Sequence, residues 1–134
     1  MSEQIQTRYS TKNYILNALP DEDYARLHPH LEEVSLALGQ IIYRAEERVR
    51  HIYFPNNVVV SVIANTPDGQ SAEVGVIGWE GMTGINVLMG VDSTSHESII
   101  QIADGALRIS AGKSEKSSNA AARCKICCSI ICTR

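Results

Sequence analysis

Cysteine is missing from the first 123 of the chain's 134 residues; Cys124, Cys127, Cys128 and Cys132 all crowd into the last eleven. This excludes a cysteine-ligated iron–sulfur or zinc centre from the body, and it is not how a secreted disulfide framework is spaced. Cys124 and Cys127 have C-x-x-C spacing, but no second pair or nearby histidine completes a tetrahedral set, so no metal is expected. Lysine and arginine are missing from His51 to Leu107, a stretch that holds Asp68, Glu73, Glu80, Asp92, Glu97 and Asp104. An anion bound there would have to rely on backbone N–H groups or histidine. There is no apolar run of transmembrane length and no basic-then-apolar leader, so the expectation is a cytoplasmic chain with no membrane partner.

What is present reads as one domain of ordinary apolar content, long enough to bury a core unaided. "NYILNALPDEDYARLHPHL" carries Tyr14, Ile15, Leu16 and Leu19 as one apolar stripe. It restarts at Pro20 with an acidic first turn, Asp21 to Asp23, and Tyr24, Leu27 and Leu31 continue a helical face that Pro29 cuts short. From Glu33 the period falls to two. "VSLAL" and "IIYRAEE" flank a Gly39-Gln40 turn, "HIYFP" and "VVVSVIA" are separated by Asn56 and Asn57, and "NTPDGQ" predicts a hairpin to "SAEVGVIG". "ESIIQIA" and "ALRIS" follow, with a turn expected at Asp104-Gly105. Many short strands behind small helices predict a mainly β fold, a jelly roll or double-stranded β-helix with short N-terminal helices.

"GWEGMTGINVLMG", residues 78–90, has four glycines around an apolar core. Such a segment can cradle a phosphate on backbone N–H groups, or it can simply turn the chain and pack Ile85, Val87, Leu88 and Met89 inward. Trp79 and Tyr53 read as core or rim packing. Arg44, Arg48 and Arg50 read as a solvated face, salt-bridged with Glu46 and Glu47. A cupin-like metal enzyme, which would use a similar roll, needs two or three histidines and a carboxylate converging in the barrel. His28 and His30 fall in the helical part, His51 opens a strand and His96 follows a polar loop, so no catalytic residue is assigned.

In their order and spacing these segments resemble the sensor domain of the Crp/Fnr family of bacterial transcription regulators, over about residues 13–110. "IYFP" and "VGVIGWEGMTG" are the more specific carriers. The resemblance implies a cyclic-nucleotide-binding-like roll, a small-molecule effector and a homodimer. In members that bind cyclic AMP, a Gly-Glu pair serves the ribose and an arginine about ten residues later pairs with the cyclic phosphate. Gly84 matches that glycine, but Ile85 and Asn86 follow it, and "STSHESII" puts His96, Glu97 and Ser98 where the arginine belongs, with Glu97 in its place. A carboxylate facing a phosphate repels it. The cassette formed by Gly84, Ile85, Asn86, His96, Glu97 and Ser98 is therefore expected to be degenerate, with no cyclic-nucleotide cofactor.

The organisation that follows is a helical segment over residues 1–33, the roll over 34–110 and an aberrant tail over 111–134. In the tail Lys113, Lys116, Arg123, Lys125 and Arg134 face Glu115 alone, while the body is acidic. No dimer helix or recognition helix follows Ser110, so specific DNA binding by this chain is not expected. Read one nucleotide later with permissible codons, "CKICCSIICTR" becomes an apolar helical sequence, and a frameshift near Ala111 is the expected origin of the tail.

Overall fold

A computed structural model describes residues 11–88, 91 and 93–110. The helical opening is α1 (Tyr14–Ala18), α2 (Asp21–Leu27) and a 3-10 turn at His28–His30. The acidic first turn of α2 and the early end before Pro29 are as the sequence predicts. Ile15, Leu16, Leu19, Tyr24 and Leu27 are buried in the same core cluster as the strands, whereas Tyr14 is exposed and leaves the apolar stripe.

Seven strands follow: β1 (Glu32–Leu36), β2 (Ile41–Tyr43), β3 (His51–Pro55), β4 (Val59–Asn65), β5 (Ser71–Ile77), β6 (Glu97–Ile102) and β7 (Asp104–Ser110), with the short helix α3 (Ile85–Leu88) between β5 and β6. They form two antiparallel sheets, β1-β7-β3 and β2-β6-β4-β5. This is the mainly β jelly roll predicted from the period-two segments. The "NTPDGQ" hairpin is present between β4 and β5, closed by Thr66 and Gln70.

The turn expected at Asp104-Gly105 is not one. Both residues lie inside β7, opposite Leu36 and Ser35, and β6 and β7 belong to different sheets. The turn expected at Gly39-Gln40 is present, closed by Gln40 N–H to the Ala37 carbonyl, and there and at Asn56-Asn57 the chain passes from one sheet to the other. Gly39 serves its corner with a left-handed φ of 81°.

β3 is the edge of the three-stranded sheet, yet Ile52, Tyr53, Phe54 and Pro55 are all buried. Successive strand side chains face opposite ways, so four in a row means cover on both faces. The edge is covered as well. The Tyr43 hydroxyl donates to the His51 carbonyl at 2.5 Å, Thr83 N–H donates to the Tyr53 carbonyl at 3.0 Å, and Asn13 Nδ2 donates to the Pro55 carbonyl at 2.8 Å. Pro55 has no N–H to satisfy, which suits a proline to this edge position. The Gly-rich segment is thereby held along the rim of the roll.

Candidate functional site

The Gly-rich segment begins with a turn in which Gly81 N–H donates to the Gly78 carbonyl and the Glu80 carboxylate accepts from Gly78 N–H. The Trp79 carbonyl accepts from Tyr14 N–H at 2.7 Å, while its side chain is 56% exposed at the rim. Asn13 ties this turn to the rest. Fully buried, it caps α1 by accepting from Leu16 N–H and donates from Nδ2 to both the Pro55 and Gly81 carbonyls, each at 2.8 Å.

Thr83 and Gly84 form the centre. Thr83 Oγ1 accepts from Tyr53 N–H at 3.0 Å and meets the Tyr43 hydroxyl at 2.7 Å. Because Tyr43 spends its one proton on the His51 carbonyl, Thr83 is the donor to Tyr43. Burial pushes the Tyr43 phenol well above its ordinary pKa, against a smaller opposing effect of the Thr83 hydrogen bond. Gly84 has φ 72°, and a Cβ there would stand 2.9 Å from the Tyr43 hydroxyl, 3.3 Å from Ile52 Cγ1 and 3.4 Å from Val49 Cγ1. Both the backbone conformation and the close approach require glycine.

The other cassette residues divide. Val87 is buried as expected, but Ile85 is 46% exposed, a correction to the inward packing predicted for it: on a four-residue helix it points away from the core face that Val87 occupies. The Leu88 side chain, Met89 and the tail lie outside the described residues. Asn86 donates from Nδ2 to the Ser93 carbonyl, and Val91 N–H returns to the Asn86 carbonyl, so the structure joins α3 to the segment entering β6. In that segment His96 Nδ1 lies 3.2 Å from Ser95 Oγ, and His96 N–H donates to Thr94 Oγ1. Glu97 opens β6 opposite Ile63, and Ser98 is buried between Tyr43 and Val62.

Gly84, Ile85, Asn86, His96, Glu97 and Ser98 bring no guanidinium or ammonium group, and the acid among them stands at the head of β6. The space over Gly84 on its Cβ side is filled by Tyr43, Val49 and Ile52. Among the described residues no three of His, Cys, Asp or Glu gather as a metal site.

The β2–β3 loop reaches the same region from another direction. Arg48 makes an isolated antiparallel bridge to Ser93, and Glu46, itself at φ 68°, donates its N–H to the Thr94 carbonyl at 2.7 Å. The loop between β2 and β3 therefore abuts the segment leading to His96 and Glu97. On the three-stranded sheet Arg108 pairs with Glu32 at 3.0 Å, holding the Glu32 carboxyl below its usual range. Burial, then the charges of Arg108 and Arg50, push the His51 imidazole below its ordinary pKa.

The sequence matches no protein-family model and no curated protein. Solved structures match it closely in shape. The N-terminal domain of a transcriptional regulator from Streptomyces coelicolor has a TM-score of 0.69 at 20% identity, covering 91% of this chain and 85% of that one. The sensor domain of the transcriptional regulator DNR from Pseudomonas aeruginosa gives 0.65 at 17%, covering 91% and 84%. The fold of this chain is the two-sheet antiparallel roll of those domains. It also matches a regulatory subunit of a cAMP-independent protein kinase A from Trypanosoma brucei, in a triply substituted form bound to cAMP in the A site, with a TM-score of 0.68 at 17% identity. That match covers 83% of this chain but only 43% of the subunit, so the chain spans less than half of its length.

Sequence reasoning reached Gly84 and missed the residues that hold it. Asn13 is signalled by its place just before an apolar helical run, where N-caps occur. Tyr43 and Thr83 carry no local signal; only the fold brings them together.

Proposed function

We propose that this chain is the sensing roll of a Crp/Fnr-like bacterial transcription regulator whose cassette keeps its shape but has lost its cyclic-nucleotide chemistry. It responds to a different small-molecule effector, works as a homodimer in the cytoplasm and performs no catalysis. The observation that carries this reading is the pairing of a retained Gly84, left-handed and packed on Tyr43, with Ile85, Asn86 and Glu97 where a ribose-binding acid and a phosphate-binding arginine belong. Effector binding acts by favouring one of two arrangements of the roll, with a strength set by its differential affinity for them.

The T. brucei subunit supports the chemical logic. It is described as cAMP-independent, and the form described as bound to cAMP carries three substitutions, one removing a glutamate and one introducing an arginine. The corresponding test here is the double variant Ile85→Glu/Glu97→Arg. Ile85 is exposed, so a carboxylate there costs little burial. Calorimetry should detect saturable cyclic AMP binding in the double variant and none in either single variant. A double variant that folds with an unchanged melting temperature and still ignores cyclic AMP would count against Gly84–Glu97 as a degenerate cassette.

A further inference from the structure

The cations missing from the cassette gather in the neighbouring loop. Residues 44–50, joining β2 to β3, hold three arginines. The corner between the two sheets folds Arg44, Arg48 and Arg50 around a hollow of about 170 Å³, with Glu47 the one carboxylate in its wall and His51 and Tyr53 on its β3 side. The wall is fixed rather than loose. Arg48 bridges Ser93, Glu46 N–H is bonded to Thr94, and the Tyr43 hydroxyl anchors the His51 carbonyl from below. Arg44 and Arg50 ion-pair with no described residue.

The same charges act on His51. Its imidazole is held toward the neutral form by burial first and then by Arg108 and Arg50, with Glu32 opposing. The chain's formal net charge of −3 disfavours large polyanions, while the three arginines leave a local site for a small one. Size narrows the occupant further. A cavity of about 150 Å³ holds a benzene molecule, and ordinary small-molecule pockets run to about 300–1,000 Å³. The enclosed part of the hollow matches a phosphate head with a short stem. Guanidinium groups match phosphate oxygens with paired, charge-assisted hydrogen bonds, and the rings of Tyr43 and Tyr53, 6.1 Å apart, offer the stem an apolar floor.

We propose that the hollow of the β2–β3 loop is a binding site for a small phosphate monoester, held by Arg44 and Arg50 beside His51. The site is distinct from the cassette but touches it. Tyr43 lines the hollow and its hydroxyl meets Thr83, so an occupant bears on a residue that packs against Gly84.

The test is calorimetric titration of the full chain with inorganic phosphate and with methyl phosphate, at constant ionic strength. One saturable site for each is expected, in the millimolar range or tighter. Arg44→Gln and Arg50→Gln, both at exposed positions, should each weaken it about tenfold, the loss of one charge-assisted contact. Lys12→Gln removes the same charge from a residue bonded instead to Asn57, and should leave the affinity unchanged. Circular dichroism confirms that each variant is folded. The proposal is overturned if neither anion saturates, if Lys12→Gln weakens binding as much as the loop variants do, or if a single-stranded oligonucleotide binds the same arginines more tightly than methyl phosphate.

Discussion

Replacing Gly84 with alanine separates two costs that the structure places on one atom. The first is conformational: an L-residue at φ 72° pays about 1–2 kcal/mol for the left-handed region. The second is steric. The new Cβ would lie 2.9 Å from the Tyr43 hydroxyl, well inside ordinary contact distance. Tyr43 cannot retreat without breaking its bonds to the His51 carbonyl and Thr83, so overpacking adds about 1–3 kcal/mol. The total, roughly 2–5 kcal/mol, is a large share of the 5–15 kcal/mol available to a typical domain and predicts a melting temperature lower by about 10 °C or more. Gly39→Ala is the control. Its φ of 81° exacts the same conformational cost, but nothing lies within 4 Å of its Cβ. Urea denaturation of both variants, read as midpoint shifts at constant slope, should put Gly84→Ala at least about 1 kcal/mol below Gly39→Ala. Adding Tyr43→Phe should recover part of the loss, because it removes the obstructing oxygen. Equal losses at the two glycines would refute the packing role assigned to Gly84.

Three further outcomes follow from the same geometry. Asn13→Ala removes a helix cap and the donor to two carbonyls, and should cost roughly 2–4 kcal/mol in denaturant unfolding. Asn13→Asp keeps the cap acceptor but turns a carboxylate toward those carbonyls, so it too should be less stable than the native chain; full stability would show that the Nδ2 bonds carry nothing. His51 has its folded-state pKa lowered, so its contribution to stability is complete above the ordinary value of 6.5 and is lost as pH falls through the folded value. Urea midpoints should therefore decline on acidification from pH 7, less steeply in His51→Gln. Glu32 is lowered too, so its contribution is present above the ordinary 4.5 and lost as pH falls through the folded value; Glu32→Gln should flatten the urea-midpoint profile in that acid window alone.

Local patterns in the sequence identify the elements well and their connections less well. The acidic turn before Tyr24, the stop at Pro29 and the "NTPDGQ" hairpin are local signals, and each has its local structure. A Gly or Asn pair between strands states only that the chain bends. Whether it reverses within a sheet, as at Thr66–Gln70, or crosses to the other sheet, as at Gly39-Gln40, depends on partners far away in sequence. The cassette shows the same division. Gly84 could be placed by its motif, and the exposure of Ile85 could not, since a four-residue helix leaves no period to read. Long-range neighbours are likewise absent from local pattern: the stretch from His51 to Leu107 has no arginine of its own, and only folding sets the Arg48 backbone against Ser93.

The central claim, a cassette with its shape kept and its cyclic-nucleotide chemistry lost, is tested most directly by titrating the unaltered chain with cyclic AMP and cyclic GMP. Trp79 reports from within the cassette, its carbonyl held by Tyr14 and its indole in solvent, and calorimetry gives an independent signal. The account predicts no saturable fluorescence change and no binding heat up to millimolar nucleotide. Saturable micromolar binding of either nucleotide would contradict it, since phosphate would then be held despite Glu97 at the head of β6.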